Sequence, residues 1–211
     1  MFARFPNHRS IALCLACLLA TAGAALAADA PAKTSTSKTE VTKAAPTPEQ
    51  QMEMMTKMGM PGAPHEMMKK CEGTWKATGK SWMGPGEPTT SEGSSEFKMI
   101  LGGRFLEQRY TSTYMGQPFE GYGLNGYDNF KKAYTMTWVD NTSTTMMSAN
   151  GSYDEAKKTL TFKTTLLGMD GKPMNGRMTL VFPDDNTQIF TMYGTEKGKE
   201  SKMMELTYTR E

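Results

Sequence analysis

Histidine and cysteine, the side chains most often used for acid–base and nucleophilic chemistry, are scarce in this sequence. Three of the five, His8, Cys14 and Cys17, lie near the N-terminus, which leaves His65 and Cys71. Their separation of six residues is neither i,i+3 nor i,i+4 on a helix, so the two side chains are not expected to meet. We therefore predict no histidine-based hydrolase, and we expect His65 to face solvent on a helix.

Paired carboxylates are the second kind of candidate chemistry. Glu107, Glu120 and Asp140 fall in predicted strands, and Glu107 shares a strand face with Arg109. This pair suits either an internal anchor for a polar ligand or, as is more common for strand charges, a solvated pair on an outer wall. The pattern defines no catalytic dyad, so the chain is not predicted to be an enzyme.

Methionine is unusually frequent, with 20 residues in the chain. Met54, Met55 and Met58 lie in one short segment, with His65 soon after, and soft thioether sulfur favours Cu(I). These four residues are the candidates for a metal site. The favoured alternative is that methionine serves as an adaptable apolar filler or lid, since it also recurs through the rest of the chain. No cofactor is predicted.

Residues 1–27 have the pattern of a secretory signal peptide. Arg4 and Arg9 precede a short apolar run and a group of small residues that ends at Ala27. The apolar run is shorter than the ~20 residues that span a bilayer, so no membrane span is expected in the mature form. We predict export to the periplasm or the extracellular medium, and cleavage would leave Cys71 without an internal disulfide partner.

The mature chain is predicted to be electrically neutral. Removal of Arg4 and Arg9 reduces the 24 basic residues to 22, which equals the 22 acidic residues. A nucleic-acid partner is disfavoured, because phosphate recognition normally requires a basic surface. Residues 28–47, rich in Ala, Thr, Ser, Lys and Pro, are predicted to form a disordered linker.

Two kinds of secondary structure follow the linker. Residues 48–72 are predicted to form an N-terminal helical segment, which glycines and prolines at 59–64 divide into two short helices. Residues 73–211 alternate apolar and polar residues in runs separated by turn formers. They are predicted to form an all-β domain, an antiparallel up-and-down β-barrel, because closure removes the sheet edges. About ten strands are predicted, at 74–83, 90–100, 105–115, 119–127, 133–139, 146–153, 159–167, 177–182, 188–194 and 202–210.

The two ends of this domain resemble the lipocalin-like (calycin) barrels. Gly73-Thr74-Trp75 opens the first strand and Tyr208-Thr209-Arg210 closes the last. The resemblance implies that Trp75 and Arg210 pack together and close the barrel floor, and stacking of guanidinium on indole is favourable by ~0.5–2 kcal/mol. Some related barrels hold haem through a histidine late in the chain. The sequence has no histidine after His65, which argues against haem.

A more extensive resemblance covers residues 65–210 and rests on several separated motifs in order. They are Gly73-Thr74-Trp75, Leu101-Gly102-Gly103-Arg104-Phe105-Leu106-Glu107, Gly116-Gln117-Pro118-Phe119-Glu120-Gly121, Gly126-Tyr127-Asp128, Trp138-Val139-Asp140, Gly151-Ser152-Tyr153-Asp154 and Tyr208-Thr209-Arg210. This pattern resembles the bacterial family known as domain of unknown function fifteen seventy-nine. The resemblance implies a fold rather than a reaction, and the methionine-rich segment 51–68 is an addition to the family pattern.

The function predicted from these features is binding of a small apolar or amphipathic molecule inside the barrel, with the helices as a plug or lid. Barrels of eight or more strands are wide enough to hold such a molecule. The expected cavity residues are Tyr110, Tyr127, Tyr134, Met136, Trp138, Phe162 and Tyr208, and the possible polar anchors are Glu107, Arg109 and Asp140. Two other classes stay open: a methionine-based copper handler, and a structural or interaction module of the cell envelope.

Overall fold

The computed structural model describes residues 45–82, 86–114, 116–168 and 170–211. The predicted signal peptide, 1–27, and all but the end of the predicted linker, 28–47, lie outside these residues. Two helices, α1 (Pro48–Gly59) and α2 (Ala63–Lys69), precede the first strand. Neither of them is long and apolar enough to cross a membrane.

Ten strands follow the helices and form a closed antiparallel barrel. Each strand pairs with its neighbours in the chain, and the first strand also pairs with the last. The prediction of an all-β, up-and-down barrel of about ten strands is confirmed. The strands are β1 (Gly73–Ser81), β2 (Thr89–Ile100), β3 (Phe105–Tyr114), β4 (Gln117–Asp128), β5 (Ala133–Asp140), β6 (Met147–Asp154), β7 (Thr159–Leu167), β8 (Pro173–Asp184), β9 (Thr187–Glu196) and β10 (Lys199–Arg210).

Two strands begin three or more residues earlier than the sequence pattern predicted. β8 begins at Pro173 rather than at 177, and β10 begins at Lys199 rather than at 202. Proline is tolerated as the first residue of a strand, where its missing N–H interrupts no central ladder. Residues 199–201 are Lys, Glu and Ser, so they show no alternation of apolar and polar residues, and all three are exposed. Strand pairing therefore extends into polar residues that hydrophobic periodicity does not mark.

The barrel has two different ends. At the closed end, where β1 begins and β10 ends, α2 packs against β2, β3 and β4 and buries His65 and Met68. The open end is the rim where β1, β3, β5, β7 and β9 end. Strand alternation turns Trp75 and Ala77 into the barrel, where both are buried. The other apolar residues of the buried core are Phe97, Leu106, Tyr110, Tyr134, Ala149, Leu160, Phe162, Met178 and Tyr208, with Met68 and Cys71 from the helical segment.

Local interactions, rather than packing, account for α1, which contains no buried residue. Thr47 and Gln50 form a capping box: the Thr47 hydroxyl accepts from the Gln50 N–H at 3.3 Å, and Gln50 Oε1 accepts from the Thr47 N–H at 2.9 Å. Pro48 suits the first turn, and Glu53 and Lys57 form an i,i+4 ion pair at 2.9 Å. The helix thus presents nearly all of its side chains to solvent.

Candidate functional site

The floor of the barrel is formed by Trp75 and Arg210. Trp75 is buried, and its Nε1 donates to the Cys71 carbonyl at 2.9 Å. The Arg210 guanidinium lies 4.1 Å from the centroid of the Trp75 ring. Its Nη1 donates to the Glu72 carbonyl and its Nη2 to the Lys70 carbonyl, both at 2.6 Å. The last strand, the first strand and the end of the helical segment therefore meet at one guanidinium group.

His65 is buried beneath the barrel, and the expectation that it faces solvent is wrong. Only 4% of the residue is exposed, and its ring meets the Tyr127 ring edge-on at 6.1 Å. Its Nδ1 accepts from the Gly62 N–H at 3.0 Å. Burial lowers the pKa of His65, and nearby Arg104 acts in the same direction, which outweighs the opposing Gly62 hydrogen bond. The short helix α2 lies across the closed end, which is why its histidine faces the core.

Cys71 is a free, buried thiol at the same end of the barrel. Burial raises the pKa of the Cys71 thiol to about 12, although the charge of Arg210 acts in the opposite direction. His65 and Cys71 thus both serve in the packing of the floor.

The aromatic and methionine residues predicted to line a cavity all face the interior. Tyr110, Tyr134, Phe162 and Tyr208 are buried, whereas Tyr127, Met136 and Trp138 are partly buried against them. Their rings pack on one another edge-on or tilted: the Tyr127 and Tyr134 centroids are 4.9 Å apart, and those of Tyr110 and Trp138 are 6.3 Å apart. Burial raises the pKa of Tyr134 to about 12, and the neighbouring tyrosines add to that effect. Aromatic rings in contact therefore make up a large part of the interior.

Glu107 and Arg109 lie on the outer face of the barrel, not in its interior. They pair across strands with Leu124 and Tyr122, while the intervening residues face inward. Arg109 Nε donates to Glu107 Oε2 at 3.3 Å, and the Tyr122 hydroxyl donates to Glu107 Oε1. The hydrogen bond from Tyr122 is the main cause of the lowered pKa of Glu107. Strand alternation explains the outcome, because Arg109 cannot share the inward direction of its neighbour Tyr110.

Asp140 lies at the open end on the inward side, opposite Gly121. Its Oδ2 accepts from Trp138 Nε1 at 3.0 Å, and its Oδ1 accepts from the backbone N–H of Thr142 at 2.9 Å. Burial alone would raise the pKa of Asp140, but the hydrogen bonds from Thr142, Trp138 and Ser143 together lower it. This carboxylate orients the Trp138 ring at the rim.

Glycines on the inner wall are the feature that sequence reasoning missed. At Gly121 a Cβ atom would collide with the Trp138 ring, and at Gly176 it would lie 2.6 Å from Leu166. The Trp138 ring and the Leu166 side chain therefore pack directly against the glycines of the adjacent strand. Isolated glycine inside a strand pattern is the signal that could have revealed this, since it marks close approach or a bend.

Several inward-facing apolar side chains of the open half keep part of their surface accessible. Five residues define this open-half wall: Trp138, Met147, Leu166, Met174 and Met192. Two depressions on the surface are separate from it. One, of about 430 Å³, lies on the outer face of β1, β2 and β10. The other, of about 800 Å³, lies beside α1.

A line of polar groups runs through the buried half of the interior. Gln108 Nε2 donates to Ser95 Oγ at 3.0 Å and to the Tyr208 hydroxyl at 3.3 Å. Burial raises the pKa of Tyr208 despite the Gln108 hydrogen bond. Gln188, which pairs with Tyr208 across β9 and β10, is 2% exposed, and among the described residues its Oε1 atom has no hydrogen-bond partner. A buried acceptor without a donor costs about 1–3 kcal/mol.

The pairing of ten antiparallel strands into a closed ring, with one end covered by the helical segment, defines a small β-barrel protein. The chain belongs to the family described as "Protein of unknown function (DUF1579)", which matches residues 60–210. The family resemblance predicted from the motifs is thus confirmed.

One solved structure agrees with this chain at the level of the fold. The crystal structure of Rv2717c from M. tuberculosis has a TM-score of 0.52 and 11% sequence identity, and the match covers 72% of this chain and 99% of that one. A redesigned β-barrel has a TM-score of 0.36 and 17% identity, over 69% of this chain and 95% of the other. No curated protein matches the sequence significantly.

Proposed function

We propose that this protein binds one small amphipathic molecule in the open half of its barrel. The observation that carries the proposal is the open-half wall, where apolar side chains face inward and keep accessible surface above a sealed floor. Apolar surface exposed inside a barrel is stabilised when a ligand removes it from water, by roughly 25 cal/mol for each Å². Three of the five wall residues are methionines, whose flexible side chains adapt to a bound molecule.

The polar groups at the open end favour an amphipathic ligand over a purely apolar one. Ser112 and Asp140 face inward there, next to the apolar side chains of the open-half wall. A molecule with an apolar body and a polar end that stays at the opening of the barrel therefore matches this half.

The predicted site residues divide into two groups under this proposal. Trp138 and Met136 would contact the body of the ligand, and Asp140 would hold the Trp138 ring in place at the rim. Glu107 and Arg109 have no part in the site, because they lie on the outer wall. We also propose that residues 1–27 direct the chain out of the cytoplasm, as the signal pattern in the sequence suggests.

A matched pair of phenylalanine substitutions tests the proposal. Ser112 faces inward between Gly93 and Phe119 near the open end, whereas Thr111 faces outward and is exposed. Ser112→Phe should fill the opening of the barrel at its open end, and Thr111→Phe should leave that opening unchanged. Binding of oleate and of the dye anilinonaphthalene sulfonate is followed by fluorescence in each variant. The proposal requires saturable binding at one site in wild type and in Thr111→Phe and its loss in Ser112→Phe. Equal binding in all three would refute it.

A further inference from the structure

The methionines of the α1 segment are exposed to an unusual degree. Met52, Met54, Met55, Met58 and Met60 are 66%, 52%, 68%, 39% and 55% exposed. In contrast, Met68 is 3% exposed and Met178 of the barrel is 0% exposed. An apolar filler belongs in a core, so the filler explanation accounts for Met68 and Met178 but not for the helix.

The end of α1 is attached to the barrel by one asparagine. Asn129, in the turn between β4 and β5, donates from Nδ2 to the carbonyls of Met58 and Met60, both at 2.9 Å. The turn itself is shaped by Asp128, whose Oδ1 accepts from the backbone N–H groups of Phe130 and Lys131. These contacts hold the last turn of α1 beside the β4–β5 turn, and the groove of about 800 Å³ lies between them.

Three of the five methionines line this groove, namely Met54, Met58 and Met60. Met54 and Met58 are spaced i,i+4, so both lie on the same face of α1, and Met60 follows directly after the end of the helix. Met52 and Met55 are not part of the lining. The fold thus separates the methionines into three that share a groove and two that do not.

We propose that this groove holds a copper(I) ion through the thioether sulfurs of Met54, Met58 and Met60. Thioether is a soft ligand that selects Cu(I) over harder ions such as Mg²⁺ or Ca²⁺. The ligands are neutral, and Glu53 offsets Lys57 in the wall through their ion pair, which leaves Lys132 as the remaining charge of the lining. A monovalent ion is repelled less by that lysine than a divalent ion is.

The structure changes the set of ligands that the sequence suggested. His65 is buried and its Nδ1 already accepts from Gly62, so it does not reach the groove. Met55 is replaced by Met60, which the Asn129 contact brings to the groove. The copper site lies outside the barrel interior, so the copper titration and the ligand-binding experiment test two independent proposals.

Titration of the folded protein with Cu(I) tests the proposal against a matched control. Copper is supplied anaerobically as its acetonitrile complex, in competition with a chromophoric Cu(I) chelator. The test variant is Met54→Leu/Met58→Leu/Met60→Leu, and the control is Met52→Leu/Met55→Leu. Leucine is a good helix former of similar volume, so circular dichroism should be unchanged in both.

Wild type and the control should bind one equivalent of Cu(I) with the same affinity, and the test variant should bind at least roughly tenfold more weakly. In wild type, the methyl NMR signals of Met54, Met58 and Met60 should shift, and those of Met52 and Met55 should not. Two results would overturn the proposal. One is wild-type binding no tighter than that of the test variant. The other is an equal loss of affinity in the control.

Discussion

The guanidinium group of Arg210 lies 4.1 Å from the centre of the Trp75 ring and donates hydrogen bonds to the carbonyls of Lys70 and Glu72. Trp75 and Arg210 are also direct partners in the pairing of β1 with β10. The two residues therefore join the chain ends across the seam of the barrel. Arg210 also attaches the helical segment to the closed end of the barrel. One side chain therefore both joins β1 to β10 and holds the segment that covers the floor.

Removal of Arg210 should destabilise the barrel. Arg210→Ala should lower the free energy of unfolding by about 2 kcal/mol, since it removes a cation–π contact and charged hydrogen bonds. Arg210→Lys should recover only part of this, because an ammonium group lacks the planar fork. Urea unfolding measures both. Arg109→Ala is the control, because Arg109 also lies over a tyrosine ring but is exposed, and it should change stability little. Equal effects at the two arginines would contradict the role assigned to the floor.

Gln188 should reduce the stability of the ligand-free protein. Gln188→Met keeps the side-chain length and removes the acceptor that has no donor, so it should raise the free energy of unfolding by about 1 kcal/mol. The matched change Gln108→Met should instead be destabilising, because Gln108 donates to Ser95 and to Tyr208. Thermal unfolding of both variants gives the comparison. A loss of stability in Gln188→Met would contradict this, because it would mean that Gln188 Oε1 accepts a hydrogen bond in the folded protein.

His65 should make stability depend on pH. Its pKa in the folded protein is lowered below the ordinary value of 6.5, so the unfolded chain binds the proton more readily. Stability from this group is complete above about pH 6.5 and is lost as the pH falls toward the folded pKa. His65→Asn keeps an acceptor for the Gly62 N–H but does not titrate. Melting temperatures from pH 7.5 to pH 5 should therefore fall less in His65→Asn than in wild type. Parallel curves would show that His65 does not contribute.

Cys71 should be chemically silent in the folded protein. It is 4% exposed, and burial raises the pKa of its thiol to about 12, so almost no thiolate forms at pH 8. Ellman's reagent should therefore react with it only after addition of denaturant. Rapid reaction in native buffer would show that the floor opens readily.

Much of the fold could be predicted from the sequence because strand alternation and turn residues are local signals. The pattern of Tyr134, Met136 and Trp138, for example, correctly identified the inward face of β5. The burial of His65 could not be predicted in this way. It depends on where α2 lies relative to the barrel, and a helix of seven residues has too little periodicity to show which face is buried.

The candidate site was harder to predict than the fold. Glu107 and Arg109 were proposed together with Tyr110, although neighbouring strand residues point to opposite faces, and the structure places the two charges outside. The role of Gly121 and Gly176 depends on side chains from other strands, which no local pattern reports. Gln188 lies in a strand that was predicted, but its lack of a partner is a property of packing alone.

Native mass spectrometry of the protein recovered from its own cells shows directly whether the barrel holds a ligand. We expect the wild-type barrel and the Thr111→Phe variant each to retain one small molecule, and Ser112→Phe, in which phenylalanine fills the opening of the barrel, to have the bare mass of the chain. A bare mass in wild type, or the same retained molecule in Ser112→Phe, would contradict the claim that the open half of the barrel is a binding site.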